Sequence, residues 1–287
     1  MLIRIIGGKK MATENVSFGH VLKQIRKDRK LTQKMLSQNI CSQSVLSRIE
    51  NDEELPNVLV MQNLCERLGV TIDQVMTLHS EEIQKVNQLL NQMAYHFFHK
   101  EYTKLDALLK QPAILDQLYL DTDLQLYYYY LGSCEFFLGR NQELSLQHLK
   151  QGLSYTFQTD KHYISSNEIQ LISCIGRVQT DLGQKKEGEF NLVYSMELFY
   201  TLPKERIDCR LAKVFYNFGL FLYREKRYDE ALAVVKSGTE MVRNQKSYYY
   251  LEELFRLKGL IYDAQGKKER GEKYFKISSS VQRITNL

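Results

Sequence analysis

Four glycines, Gly132, Gly176, Gly219 and Gly259, stand 44, 43 and 40 residues apart in this chain of 287 residues. Twelve positions after them come Leu144, Gly188, Ala231 and Gly271, and nineteen after them come Gln151, Ser195, Gly238 and Ser278. A period of about 42 residues belongs to a stacked repeat, in which each unit is too small to bury its own apolar face and must cover its neighbour. Small side chains at fixed offsets let two helix axes approach closely, so each unit reads as a helical hairpin. Seven positions after the reference glycines, Gly139, Gly183, Lys226 and Gly266 fall where one helix turns into the next. Only 3 prolines interrupt long Leu-, Tyr-, Glu- and Lys-rich stretches, and the expected fold class is all-α.

The best copy runs Tyr216-Asn-Phe-Gly-Leu-Phe-Leu-Tyr-Arg-Glu-Lys-Arg-Tyr-Asp-Glu-Ala231. It resembles a tetratricopeptide (TPR) repeat, with small residues where two helices touch and aromatics between them. The period exceeds that family's usual ~34 residues, so the helices are longer or the loops looser. Five hairpins are expected, at 81–111, 114–157, 162–200, 204–243 and 246–284, with the first degenerate. The resemblance implies a right-handed superhelix whose concave surface is lined by the first helix of each hairpin. Its lining positions lie six and three before, and one and four after, the reference glycine. They are Leu126, Tyr129, Ser133 and Phe136, then Gln170, Ser173, Arg177 and Thr180. Lys213, Tyr216, Leu220 and Tyr223 follow, then Glu253, Arg256, Leu260 and Asp263.

A groove mixing aromatic, amide and basic groups suits an extended peptide, which offers backbone donors and acceptors, apolar side chains and a carboxylate. Arg177, Arg256 and Lys213 are the carboxylate-binding candidates. Asn217, two before Gly219, stands where TPR peptide-binders often place an asparagine, and equally suits a cap between helices. The peptide-binding set is therefore Asn217, Arg177, Gln170, Ser173, Lys213, Tyr216, Tyr129, Tyr223, Glu253 and Arg256. The runs Tyr127–Tyr130 and Tyr248–Tyr250 read mostly as packing, because a helix cannot turn consecutive side chains into one groove.

Ahead of the repeats, residues 17–78 form a separate pattern of five short helices. Ser17, Thr32, Ser42 and Thr71 are candidate N-caps, and Pro56 opens the fourth helix. The inward residues are Val21, Leu22, Ile25, Leu36, Ile40, Leu46, Ile49, Leu59, Leu64 and Leu68, and Gly69 stops the fourth helix. Ile25-Arg26, Leu31-Thr32-Gln33, Leu36-Ser37, Ser47-Arg48-Ile49-Glu50 and Pro56 together resemble the helix-turn-helix of the phage-repressor (XRE) family. A helix docked in the major groove needs polar or small side chains outward at its first turns and apolar ones behind. Gln43 suits adenine, Arg48 suits guanine or a phosphate, and Val45 suits a thymine methyl. Ser42, Ser44, Ser47 and Lys34 complete the DNA-facing set, and family resemblance has Gln33 contact phosphate or support Gln43. Lys23, Lys27, Lys30 and Lys34 would attract the backbone independently of sequence, though each also suits a solvated face. The same resemblance pairs Arg26 with Glu50 in a partly buried ion pair. The family's usual glycine two residues after that glutamate is here Asp52, following Asn51, and both residue types tolerate a left-handed turn.

Charge follows this division. The chain carries a net +5, but Ser17 to Arg48 alone has seven basic residues against Asp28, a net +6, and Glu50 to Asp73 is net −5. Residues 1–16 read as an extension, and Met11, preceded by Gly7-Gly8-Lys9-Lys10, is expected to be the natural start. The 5 cysteines are odd in number and unpaired in spacing, which points to reduced thiols in the cytoplasm. No stretch of about 18 apolar residues exists to span a membrane. The 6 histidines are dispersed, no phosphate loop or catalytic motif occurs, and no enzyme activity, cofactor or metal is expected.

An XRE head followed by TPR-like repeats resembles the peptide-pheromone regulators of Gram-positive bacteria, the Rgg/Rap/NprR/PlcR/PrgX (RRNPP) group, and most closely its PlcR-like branch. The resemblance implies a cytoplasmic, homodimeric quorum-sensing transcription regulator. It would bind palindromic operator DNA and be switched by a short imported signalling peptide in the TPR groove. Two rival readings remain open: an XRE-type repressor whose repeats bind a protein partner, and an interaction protein with a vestigial DNA head.

Overall fold

The computed structural model describes residues 17–78, 81–112, 114–118, 120–158 and 164–285. The extension at 1–16, with the expected start at Met11, lies outside the described residues, as do His79 and His162. The chain divides into two compact units, 1–89 and 90–287. Among the described residues all regular structure is helical, as the repeat spacing predicts, and no helix is long and apolar enough to cross a membrane.

The first unit contains α1 (Phe18–Asp28), α2 (Gln33–Ser37), α3 (Gln43–Glu50), α4 (Val58–Arg67) and α5 (Ile72–Leu78). Ser17, Thr32 and Ser42 each accept a hydrogen bond from the backbone N–H three residues on, at 3.1, 3.2 and 3.2 Å. Thr71 and Gln74 cap each other reciprocally, at 3.1 and 3.0 Å. The fourth helix differs from expectation: Asn57, not Pro56, starts it, its side-chain carbonyl accepting from Val60 N at 2.9 Å. Leu22, Leu36, Leu46, Leu64 and Leu68 form a fully buried core with Ile49 and Val75. Ile25 and Ile40 pack half-buried at its edge. Leu59, expected inside, is 71% exposed. At about 100° per residue it sits far around the helix from Leu64 and Leu68, and Met61 takes the inward place beside them.

The second unit holds four regular hairpins. These are α8 (Asp121–Phe137) with α9 (Gln142–Ser154), α10 (Ser166–Asp181) with α11 (Lys185–Thr201), α12 (Ala212–Arg224) with α13 (Tyr228–Asn244), and α14 (Leu251–Ala264) with α15 (Lys268–Thr285). Before them α6 (Glu81–Phe98), which runs across the boundary between the units, and α7 (Tyr102–Leu109) form the degenerate hairpin. Each turn contains one residue in the left-handed region: Lys100, Gly139, Gly183, Lys226 and Gly266, with φ of 58°, 65°, 81°, 60° and 77°. Counting back from Lys100 places Met93, fully buried, where the other hairpins have their reference glycine. The copy is degenerate, as expected, because a large side chain holds its close-contact position.

In the third hairpin the two backbones touch. A Cβ on Gly176 would lie 2.8 Å from the Gly188 carbonyl oxygen and 3.0 Å from Leu192 N. In the second hairpin the expected partners Leu144 and Gln151 are displaced by one. Ser145 Oγ donates to the Gly132 carbonyl at 2.7 Å, and a Cβ on Gly152 would lie 3.1 Å from the Gln125 carbonyl. The physical reason is one extra turn residue: α9 begins after Gly139, Arg140 and Asn141, whereas α11 begins after Gly183 and Gln184. The first helices α8, α10, α12 and α14 lie side by side in one row, and the second helices flank it. The first and fifth hairpins also meet: Phe98 stacks on Tyr249 at 4.6 Å, and Lys100 pairs with Glu253.

Replacing Gly176 by Ala forces two backbones apart, whereas Gly139 faces open space and pays only for its positive φ. Overpacking of this kind costs about 1–3 kcal/mol. Gly176→Ala is therefore expected to lower the melting temperature by several degrees, and more than Gly139→Ala, in a calorimetric scan of the two variants.

Candidate functional site

In the first unit, α3 divides its side chains as a groove-reading helix must. Leu46, Ile49 and Glu50 are buried, and Gln43, Ser44 and Arg48 are exposed. Val45 and Ser47, expected outward, are half-buried, and Val45 packs on the apolar core. Ser42 Oγ is occupied, capping α3 and sharing a hydrogen bond with Ser44 Oγ at 2.8 Å. Arg48 Nε lies 2.7 Å from Glu54 Oε2, and both side chains remain half-exposed. This partner was missed because it lies in the loop after α3, outside any helical spacing. Lys34 is exposed, with Lys27 and Lys30, and Lys23 Nζ donates to Asn51 Oδ1 at 2.8 Å.

Behind that face sits the expected ion pair, more buried than the sequence suggests. Arg26 Nε lies 2.5 Å from Glu50 Oε1 and Nη2 lies 2.7 Å from Oε2, while Nη1 donates to the Leu31 carbonyl at 2.8 Å. Gln33 Nε2 donates to Glu50 Oε2 at 2.9 Å. Its amide nitrogen thus serves the ion pair rather than Gln43, because the start of α2 packs where α1 ends and α3 ends. The turn after Glu50 survives without glycine: Asp52 adopts φ 62°. One guanidinium thereby ties the end of α1, the start of α2 and the end of α3, fixing the angle at which α3 presents Gln43 and Arg48.

Burial alone would push the Glu50 carboxyl up, but hydrogen bonds from Arg26 and Gln33 and the Arg26 charge hold it below its ordinary value of 4.5. A carboxyl lowered on folding stabilises the fold above its unfolded value and loses that contribution as pH falls through its folded one. Stability of the first unit is therefore expected to be pH-independent through this group above about 5 and to fall below 4.5. Arg26→Ala leaves a buried carboxylate alone and is expected to cost about 3–5 kcal/mol. Denaturant titrations at pH 7 and pH 3.5 measure both effects, and Glu50→Gln should flatten the pH dependence.

In the second unit Asn217, Arg177, Lys213 and Tyr216 line one cleft, Tyr129 and Gln170 line another, and the middle of the row is filled. Tyr129, Gln170, Ser173 and Lys213 are at most 2% exposed. Tyr129 Oη donates to Gln170 Oε1 at 3.3 Å, and Asn217 Nδ2 donates to Ser173 Oγ at 3.1 Å. Asn217 thus bridges α10 and α12 while also lining a cleft of about 80 Å³ with Ser133, Arg177, Lys213 and Tyr216. A second depression of about 330 Å³ is lined by Tyr129, Gln170, Phe97, Phe98, Arg210 and Tyr249. Tyr216 packs edge-on to Tyr250 at 5.4 Å and Tyr223 packs on Tyr228 at 6.1 Å.

Two of the three carboxylate-binding candidates are poorly placed for that role. Arg177 lies 3.1 Å from Asp181 within its own helix, and Arg256 points to solvent. Glu253 is taken by Lys100 through Oε1. Lys213 is enclosed: its Nζ lies 4.4 Å from the centre of the Phe97 ring and 4.9 Å from that of Phe137. Burial pushes its ammonium below the usual lysine range, with nearby Lys100 acting in the same direction and Glu253 opposing it. Phe97 and Phe137 lie outside the expected lining positions. Phe97 enters because the first hairpin folds back onto the fifth, and Phe137 comes from the last turn of α8. Tyr127, Tyr129, Tyr130, Tyr249 and Tyr250 are buried as packing, and Tyr248 is half-exposed. All five cysteines are free, and no group of metal-ligating side chains occurs among the described residues.

Comparison with known proteins agrees with this geometry. The helix-turn-helix family model HTH_3 matches residues 22–75. The crystal structure of Bacillus thuringiensis PlcR in complex with the peptide PapR7 and DNA is 23% identical, covers 94% of this chain and 95% of its own, and superposes with a TM-score of 0.72. PlcR in its apo form is 19% identical over 93% of this chain and 94% of its own, with a TM-score of 0.61. ComR from S. thermophilus, in complex with DNA and its signalling peptide ComS, is 13% identical over 94% of both chains, with a TM-score of 0.53. Among curated protein sequences nothing matches. Residues 22–75 are therefore a helix-turn-helix domain, and the chain over nearly its full length has the all-α fold seen in PlcR.

Proposed function

We propose that this chain is a peptide-responsive transcription regulator of the RRNPP type, acting in the cytoplasm as a homodimer on palindromic operator DNA. The observation that carries the reading is the split of α3, with Gln43, Ser44 and Arg48 outward over a buried Leu46–Ile49 face, in a chain that shares its fold with a regulator solved together with peptide and DNA. Gln43 reads adenine, Arg48 exchanges Glu54 for a guanine or a phosphate, and Ser44 and Ser47 approach the backbone or base edges. Val45 contributes only its exposed part to a thymine methyl. Lys34 and its neighbours supply the salt-dependent attraction.

In the second unit, the ligand is a short peptide laid along the row of first helices. Its groups meet Asn217, Tyr216 and Lys213 in one depression and Tyr129 and Gln170 in the other. A peptide that binds two arrangements of the array with different affinities shifts the population between them, and with it the spacing of two DNA heads. Each head must fall about one DNA turn, ~34 Å or a multiple, from the other to read a palindrome.

Operator fragments selected from random DNA by the purified protein provide the assay. Gln43→Ala and Arg48→Ala are each expected to weaken the selected site about fivefold or more, from a loss of about 1–3 kcal/mol per base contact. Lys34→Ala should weaken all sequences alike and reduce the salt slope by about one. Full affinity in a Gln43→Ala, Arg48→Ala double variant would remove the DNA-reading role of α3. Titration with synthetic hydrophobic heptapeptides tests the second half; a protein that binds none of them, but co-purifies stoichiometrically with another protein, takes a protein partner instead.

A further inference from the structure

Lys213 is 1% exposed, and among the described residues its ammonium donates no hydrogen bond. Its Nζ is ringed by Phe97, Phe137, Tyr129 and Tyr250, at 4.4, 4.9, 5.5 and 5.9 Å from the ring centres. Aromatic faces recover part of the cost of desolvating a cation. They accept no conventional hydrogen bond, so three N–H donors stay unanswered. A second orphan is Ser133 Oγ, 2% exposed and also without a partner; a third, Glu253 Oε2, acts on the ammonium through its charge but is not hydrogen-bonded to it. Lys213 and Ser133 line the same cleft of about 80 Å³, together with Phe136, Phe137, Cys174 and Asn217. A single water needs roughly 10–15 Å³ on this measure, so the cleft admits a carboxylate with a short apolar stem. Tyr250, which closes one side of the cage, holds φ 59°, a conformation that costs a bulky side chain energy and marks a locally strained element.

We infer that Lys213 and Ser133 form a carboxylate-binding subsite in the concave cleft, which takes an acidic side chain or the C-terminal carboxylate of the ligand and packs its stem against Phe136 and Phe137. A carboxylate accepts from the ammonium and the hydroxyl together, and its single negative charge matches that of the Lys213 ammonium. A phosphate dianion would leave one charge uncompensated against aromatic walls. Arg177, which also lines the cleft, is held at 3.1 Å by Asp181, a carboxylate it shares with Arg224. An unanswered buried ammonium weakens the ligand-free fold and strengthens the hold on an incoming anion, the exchange expected of a ligand anchor. The subsite rests on the reading of this face as a peptide site.

The test uses the full-length protein with phenylacetate as probe and phenylacetamide as its neutral counterpart, by titration calorimetry. Wild-type protein is expected to bind the acid at least tenfold more tightly than the amide, a comparison that needs no variant. Lys213→Met keeps most of the stem's volume. It should abolish that preference while raising the melting temperature of the ligand-free protein, because it removes a charge without a partner. Ser133→Ala should weaken the acid several-fold. Equal binding of acid and amide overturns the proposal, as does a Lys213→Met protein that melts lower than wild type and keeps the preference. Heptapeptides then separate the sources: loss on Glu→Gln assigns the carboxylate to a side chain, and loss on C-terminal amidation assigns it to the terminus. Heptapeptides that bind equally in all three forms sink the subsite and leave the peptide reading standing. Phenylacetate held through Lys213, with no heptapeptide bound, supports the subsite and counts against the peptide reading.

Discussion

Where two helix backbones touch, register is no longer adjustable. Between α10 and α11 the carbonyl of Gly188 lies against Gly176, with no room for a Cβ, and sliding either helix by one residue would drive a side chain into the other's backbone. Everything the second unit presents follows from that restriction. The left-handed residue at each turn sets how the second helix returns, and the small residues set how closely it lies. The first helices are thereby brought into one row with the residues six before each reference glycine facing inward. Lys213 is one of these, and its burial is a consequence of register before it is a matter of chemistry. The second hairpin shows the rule through its exception: one added turn residue moves the contact from Leu144 to Ser145, and the serine hydroxyl then hydrogen-bonds the backbone it meets.

The first unit solves the same problem with charge. Its helices are short, and α2 has only five residues, too few to hold its position by propensity or by burial alone. The Arg26 guanidinium reaches the carboxylate of α3 and the carbonyl of Leu31 together, and Gln33 adds a third arm. Such a pair contributes geometry more than net stability, since desolvating both charges offsets most of their attraction. The Arg48–Glu54 pair is the opposite case. It is half-exposed, weak, and readily exchanged for another partner.

Most of the helices could be read from the chain because their signals are local. Side-chain N-caps stand before α1 to α5, α9 and α10, glycine or a polar residue sits at each turn, and inward leucines recur at helical spacing. The errors are equally local in origin. Leu59 was read as buried on hydrophobicity, although the helix starts at Val58 and places it on the outer side. The first hairpin reads as degenerate because Met93 occupies the position the other copies reserve for glycine. On the DNA side, outward Gln43, Ser44 and Arg48 were legible from periodicity, while the Glu54 partner lay in a loop with no periodicity to follow.

Spacing was enough for an all-α chain with a head of short helices and a run of hairpins, and the TPR resemblance implied which side chains of each first helix face the groove. These are properties of neighbouring residues, governed by helix pitch, capping and steric size, and they need no knowledge of what lies across the fold. What closes that inner face is a different matter. Phe97, Phe98 and Lys100 meet Tyr249, Tyr250 and Glu253 only after four hairpins have stacked, about 150 residues further along the chain. That closure turns Lys213 from one candidate among three into a buried cation with no acceptor, because burial and the loss of hydrogen-bond partners are set by the whole array and not by any segment of it.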